Sequence, residues 1–191
     1  MRIAPAVAAA LLVTGMATGT AQAATAFQSG PVGYTCPFPD GSTQTATLVA
    51  GFTGPDTVAP GAGFGLSNVS GSVTMSPAAS AWLATNRGAD GFNGGKVALF
   101  IDAANGPRAN NNPPAATITP ATWGPGPVVL EFTGGRSFHT AGASGPITFT
   151  AGQLILLMSL HRPDGQSSLI TAICHPQDGQ DTAFTPALPI S

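Results

Sequence analysis

GYTCPFP at 33–39 and SLITAIC at 168–174 hold the chain's two cysteines, Cys36 and Cys174, one towards each end. Whether they pair decides the fold. Two cysteines in an oxidising compartment join most simply to each other. A bridge brings their Cα atoms within ~7 Å, so the strand around Cys36 must lie beside or across from the strand around Cys174. The first and last strands then close the domain. Two readings compete, an intermolecular bond and a catalytic thiol. His175 follows Cys174, but successive residues on a strand point to opposite faces, which separates that thiol from the nearest base. An immunoglobulin-type staple fits poorly, because such a domain runs to only ~100 residues.

An oxidising compartment is what the N-terminus predicts. Residues 1–23 read MRIAPAVAAALLVTGMATGTAQA. Arg2 supplies a short positive region, Val7 to Val13 an apolar one, and Ala21-Gln22-Ala23 an A-x-A site. This is the pattern of a secretory signal peptide cleaved between Ala23 and Ala24. The apolar run is shorter than the ~20 residues that span a bilayer, so the exported chain is not expected to cross a membrane. Residues 24–191 then form a single secreted domain, long enough to bury a substantial core.

Only 7 % of residues are charged, against ~25 % in an average domain. Lys96, Arg87, Arg108, Arg136 and Arg162 are never adjacent. A nucleic-acid partner needs clustered cations and is excluded. Gly (25) and Pro (18) are abundant and Glu131 is the single glutamate, a composition suited to short strands and turns.

Strand patterns recur at 32–38, 43–52, 64–75, 96–103, 128–134, 146–152, 153–160 and 168–174. Leu66, Val69, Val73 and Met75 break alternation between 66 and 69, predicting a bulge near Ser67–Asn68. LILLMSL is apolar at successive positions, predicting a central strand covered on both faces. Ser76 as N-cap, Pro77 at the first helical position and Gly88 as a stop predict one helix, with Trp82 and Leu83 covering one end of the core. The fold class expected is all-β: an antiparallel β-sandwich of about 8–10 strands, immunoglobulin-like or Greek-key, with one short helix. A closed β-barrel is the alternative architecture.

Tyr34, Cys36, Phe38 and Pro39 form a Y-x-C-x-F-P opening. Val73, Pro77 and Leu83 lie in V-x-M-S-P-A-A-S-A-W-L, and Gly152, Leu154 and Leu156 in G-x-L-x-L, ahead of Cys174. Through these residues the chain resembles a domain of unknown function found in secreted actinobacterial proteins, over roughly residues 30–180. The resemblance implies an all-β secreted domain bridged between its ends, and no activity.

Candidate chemistry is sparse. HRPDGQ (161–166) and HPQDGQ (175–180) repeat H-x-x-D-G-Q. His161, Asp164, His175, Asp178 and Asp181 would be the ligands of a metal site. Seven residues of strand at ~3.3 Å each would hold the two copies about 23 Å apart, so Asp-Gly turns are the simpler reading. His139 lies in GGRSFHTAG, read as an exposed Gly-rich hairpin. There is no G-x-S-x-G elbow; GASG at 142–145 falls short of it. Glu131 alternates with Leu130 and Phe132 and should face solvent, and Asp102 ends a strand, so no carboxylate pair for glycoside hydrolysis is evident. GFNGGK at 91–96 lacks P-loop spacing. The sequon Asn68-Val69-Ser70 and the loop asparagines Asn110, Asn111 and Asn112 are the remaining polar features; such a loop could contact sugars.

The expectation is therefore a secreted protein without catalytic residues, metal or cofactor, whose partner is a cell-envelope component, an extracellular polymer or a protein. A secreted hydrolase with a non-contiguous site, and a structural envelope or spore-surface protein, are the rivals. The hydrolase predicts a histidine meeting a serine and a carboxylate in a pocket.

Overall fold

The computed structural model describes residues 24–109, 113–124 and 126–191. The leader through Ala23 and Asn110–Asn112 lie outside the described residues, while Ala24 begins the first strand. In chain order the elements are β1 (Ala24–Ser29), β2 (Val32–Pro37), β3 (Thr43–Pro55), β4 (Gly63–Met75), α1 (Pro77–Arg87), β5 (Gly91–Ala104), β6 (Ala115–Ile118), β7 (Ala121–Thr122), β8 (Val129–Thr133), β9 (Arg136–Thr140), β10 (Pro146–His161), β11 (Ser167–Pro176) and β12 (Ala183–Pro189).

All pairings between these strands are antiparallel, and they follow β10–β11–β2–β3–β4–β8–β6–β5 and back to β10. The fold is a sandwich-like antiparallel sheet whose edges are stitched together. β3 and β10 make this possible by outrunning their neighbours. One edge of β10 takes β12 over residues 146–150 and β11 over 154–161. One edge of β3 takes β2 over 43–48 and β1 over 51–55. Two seams then join these long strands: β2 with β11, and β1 with β12.

In the first seam Tyr34 faces Pro176 and Thr35 faces His175, so Cys36 comes opposite Cys174. Their sulfurs are 2.09 Å apart and their Cα atoms 4.2 Å apart. That separation belongs to a directly opposed, non-hydrogen-bonded pair, where strands approach to ~4.5 Å. Both cysteines are buried, as is Tyr34, whose hydroxyl donates to the Gly152 carbonyl at 2.8 Å. The rings of Phe27 and Phe149 meet edge to face at 5.3 Å between β1 and β10, which places the core between the sheet's inner faces.

Twelve strands form among the described residues, more than the patterns suggest. β1, β9 and β12 are short or flanked by Gly and Pro and have little local signature. In the opposite direction, 146–152 and 153–160 are one strand, with a register break against β5 between Ala151 and Leu154. The bulge in β4 falls where alternation fails: Asn68 takes φ 54°, and the β3 partners shift between Ser70 and Ser67. α1 is capped by Ser76, whose hydroxyl accepts from Ala79 N–H at 3.2 Å, and stopped by Gly88 at φ 61°. Leu83 is buried, and Trp82 packs edge-on to Phe38 at 4.9 Å while its indole N–H donates to Asp40.

β10 corrects one expectation. It is central, but within LILLMSL only Leu154, Leu156, Met158 and Leu160 face the core. A sandwich strand has one inner face, so Leu157 is left 47 % exposed on the other.

A loop of this length makes the Cys36–Cys174 bond worth up to ~4–5 kcal/mol in chain entropy, and native bridges are typically worth ~2–5 kcal/mol. Reduction, or the Cys36→Ala/Cys174→Ala double variant, should lower the melting temperature by roughly 5–15 °C. Calorimetry with and without reductant checks this; an unchanged melt would mean the β2–β11 seam holds without its covalent link.

Candidate functional site

β9 departs from its expected role as an exposed hairpin. Gly134 and Gly135, at φ 95° and 100°, absorb the reversal from β8, which frees RSFHT to form a strand. One edge of that strand pairs with β4, setting Phe64 opposite His139 and Leu66 opposite Ser137. The other edge takes the segment after β5: Ala109 N–H donates to Phe138 O at 2.7 Å, and Thr140 N–H to Pro107 O at 3.0 Å. Enclosed on both sides, β9 turns Ser137 and His139 inward, 2 % and 1 % exposed, and Phe138 outward.

The Gly106 carbonyl lies 2.9 Å from His139 Nδ1 and can only accept, so Nδ1 carries the proton. Nε2 then accepts from the Ser137 hydroxyl at 3.0 Å. The imidazole stacks on Phe64 at 5.4 Å and meets the edge of Phe149 at 6.0 Å. Burial pushes its pKa below the ordinary histidine value. Arg108 acts in the same direction, while the Gly106 hydrogen bond and the Asp102 charge oppose it.

Serine, a histidine base and an orienting acceptor are the parts of acyl-transfer chemistry. Here the acceptor is a backbone carbonyl, no carboxylate orients the ring, and both side chains are sealed in the core. A nucleophile must meet its substrate, and this arrangement satisfies two buried polar groups instead.

The remaining sequence candidates are scattered. The two H-x-x-D-G-Q turns stand at opposite ends of β11. In the first, His161 Nδ1 meets Asp90 Oδ1 at 2.5 Å and Arg162 pairs with Asp164 at 2.8 Å. The second docks on β2: Gln177 N–H donates to Gly33 O at 2.9 Å, and Gln180 Oε1 accepts from Gly33 N–H at 3.2 Å. Asp181 accepts from Ala183 N–H at 3.0 Å, and His175 and Asp178 stay apart from the first turn. Among the described residues no three His, Cys, Asp or Glu side chains come together as a metal site. Glu131 and Asp102 are exposed on separate strands. Residues 91–96 are strand, and a side chain on Gly95 would strike the Leu157 carbonyl. The sequon's Asn68 donates to Thr53 Oγ1 at 3.0 Å.

An open cleft of about 520 Å³ lies where β3 and β4 diverge. Beyond the Thr53–Ser67 pair, β3 turns to β1 and β4 to β9. Its lining includes Thr53, Thr57, Gly63, Gly65 and Ser67, and no ionisable side chain. Thr53 and Ser67 hydroxyls are 3.0 Å apart. The loop closing the cleft is pinned: Gly61 N–H donates to Gly142 O at 3.1 Å, Ala141 N–H to Ala62 O at 2.9 Å, and Val58 N–H to Pro189 O at 3.1 Å. Phe138, 51 % exposed, leans over Gly65 from the neighbouring strand. None of these residues stood out as a site in the sequence; the signal was the inverted order of RSFHT, polar inward and aromatic outward.

The chain belongs to a family of unknown function, DUF6801, whose model matches residues 33–185. That stretch contains both cysteines, β9 and the residues of the cleft from Thr53 to Ser67. No curated protein and no solved structure matches the chain.

His139 gives a pH dependence. Its folded pKa lies below the value of ~6.5 it takes when unfolded, so the unfolded state binds more protons as the pH drops through that value. Stability is complete above about pH 6.5 and declines below it. His139→Gln should show a smaller loss of melting temperature between about pH 7.5 and about pH 5 than the parent; equal losses would assign the dependence to other groups.

Proposed function

We propose that this is a secreted, non-enzymatic binding module for an extracellular polymer or cell-envelope component. One contrast carries the reading. The cleft open to solvent has no titratable side chain in its lining, its one ionisable group being the α-amino group that cleavage would leave on Ala24, whereas the serine–histidine pair that could do chemistry has no opening. Catalysis by general acid and base needs ionisable groups at the substrate; binding an uncharged partner does not.

Export is supported by the leader-like pattern ending at Ala23 and by the disulfide, which an oxidising compartment maintains. No helix among the described residues is long and apolar enough to cross a membrane. A low charge content leaves little electrostatic repulsion between the module and a neutral surface.

A hydrolase is the second reading, favoured by the 3.0 Å contact between Ser137 and His139. It requires β9 to come away from the segment after β5 and expose both.

The full chain, expressed with its leader, should accumulate in the medium with Ala24 as its first residue. It should be depleted reversibly from solution by isolated cell-envelope material, releasing no soluble product, and Ser137→Ala should leave the depletion unchanged. Turnover of an ester or glycan substrate that disappears in Ser137→Ala would replace this reading with the hydrolase.

A further inference from the structure

We infer that the cleft between β3 and β4 holds an uncharged sugar chain, with Phe138 as the surface on which a pyranose ring stacks. This rests on the non-enzymatic binding reading and adds the ligand class and its location.

β9 has its pattern reversed. Its polar residues go to the core and its phenylalanine to water, 51 % exposed. The strand could have hidden that ring by the opposite register, since a one-residue slip exchanges the faces. The cross-strand partner of Phe138 is Gly65, and the ring comes within ordinary contact of the space a side chain there would take, at 3.5 and 3.7 Å. Glycine lets the ring lie low against β4. The same Gly65 belongs to the cleft lining, so the aromatic face, itself outside the lining, adjoins the cleft.

The lining matches one ligand class. A pyranose ring carries hydroxyls around its rim and C–H groups on its faces. Thr57 and Ser67 offer hydroxyls that both donate and accept, with Thr53 held in place by Asn68 and Ser67, and Phe138, beside the lining at Gly65, offers an apolar face with the electron-rich surface that C–H groups prefer. No side chain in the lining answers a charged group, and the α-amino group that cleavage would leave on Ala24 is the one ionisable group there. Arg136, opposite Ser67 and on the same outer face as Phe138, is the nearest cation of that strand and lies outside the lining. The volume of about 520 Å³ falls in the usual range for a small-ligand site. The pinned loop means that little order has to be imposed on binding.

The test uses the full mature chain, titrated by calorimetry with cellohexaose, chitohexaose and maltohexaose, and with polygalacturonate and a proline-rich peptide as comparison probes. Gly63→Leu is the blocking variant. Its Cβ site has only the His139 carbonyl nearby, at 3.9 Å, and its backbone conformation is open to any residue, so the variant folds with a side chain projecting into the cleft. At least one neutral hexasaccharide should bind. Phe138→Ala should weaken it by about tenfold or more, Gly63→Leu should abolish it, and Arg136→Ala should leave it unchanged, all with parental melting curves. Equal binding by parent, Phe138→Ala and Gly63→Leu would overturn the site and leave the binding-module reading standing. Binding confined to polygalacturonate, or confined to the peptide, would overturn the ligand class. No binding to any probe would overturn the inference, while depletion by envelope material would still uphold the broader reading. Release of reducing ends from any glycan would remove the non-enzymatic premise itself.

Discussion

The seam between β2 and β11 is the constraint on which the closed arrangement depends. Its ladder is two residue pairs long, Tyr34 with Pro176 and Thr35 with His175. Pro37 and Pro176 have no N–H to extend it. Hydrogen bonds alone would make this a weak joint in the ring, as short as the β6–β8 ladder, and the Cys36–Cys174 bond stands where further pairs would be. Beside it, the Tyr34 hydroxyl reaches across to the Gly152 carbonyl, freed where β10 breaks register with β5. Burial of that phenol, and secondarily the negative charge of Asp102, raise its pKa. A buried phenol that stays protonated is a dependable donor, so the bulge carbonyl is satisfied and the two halves of the sandwich are tied by a polar contact as well as a covalent one.

What could be read from the residues follows the physics of each signal. The helix was legible because Ser76, Pro77 and Gly88 each act locally, through a cap, a preset φ and a left-handed stop. The all-β class was legible because alternation needs only a strand and its two faces. The merger of 146–152 with 153–160 was hidden by Gly152, which looks like a turn residue and is a bulge. β1 and β12 were hidden because neither has enough local preference to form alone; β1 exists through β3 and β12, and β12 through β10 and β1.

The candidate site was the least legible part. His139 was misplaced because Gly134 and Gly135 coloured the reading of the five residues after them, and because histidine among small polar residues ordinarily implies exposure. Only the tertiary pairing of β9 with both β4 and the segment after β5 reverses that. The cleft is marked by residues with little side chain, Gly63, Gly65 and Ser67, whose role is to leave room. Sequence patterns register what is present at a position more readily than the space it vacates.

The pairing of β1 with β12 joins Gln28 and Ser29 to Thr185 and Phe184. Contacts this remote in sequence form slowly, because most of the chain must be organised before they can close. β1 can settle on nearby β3, where Phe27 stacks on Phe52, but its other edge stays open until nearly all of the polypeptide has arrived. Such a chain keeps one seam open while it is being made and closes it only on completion.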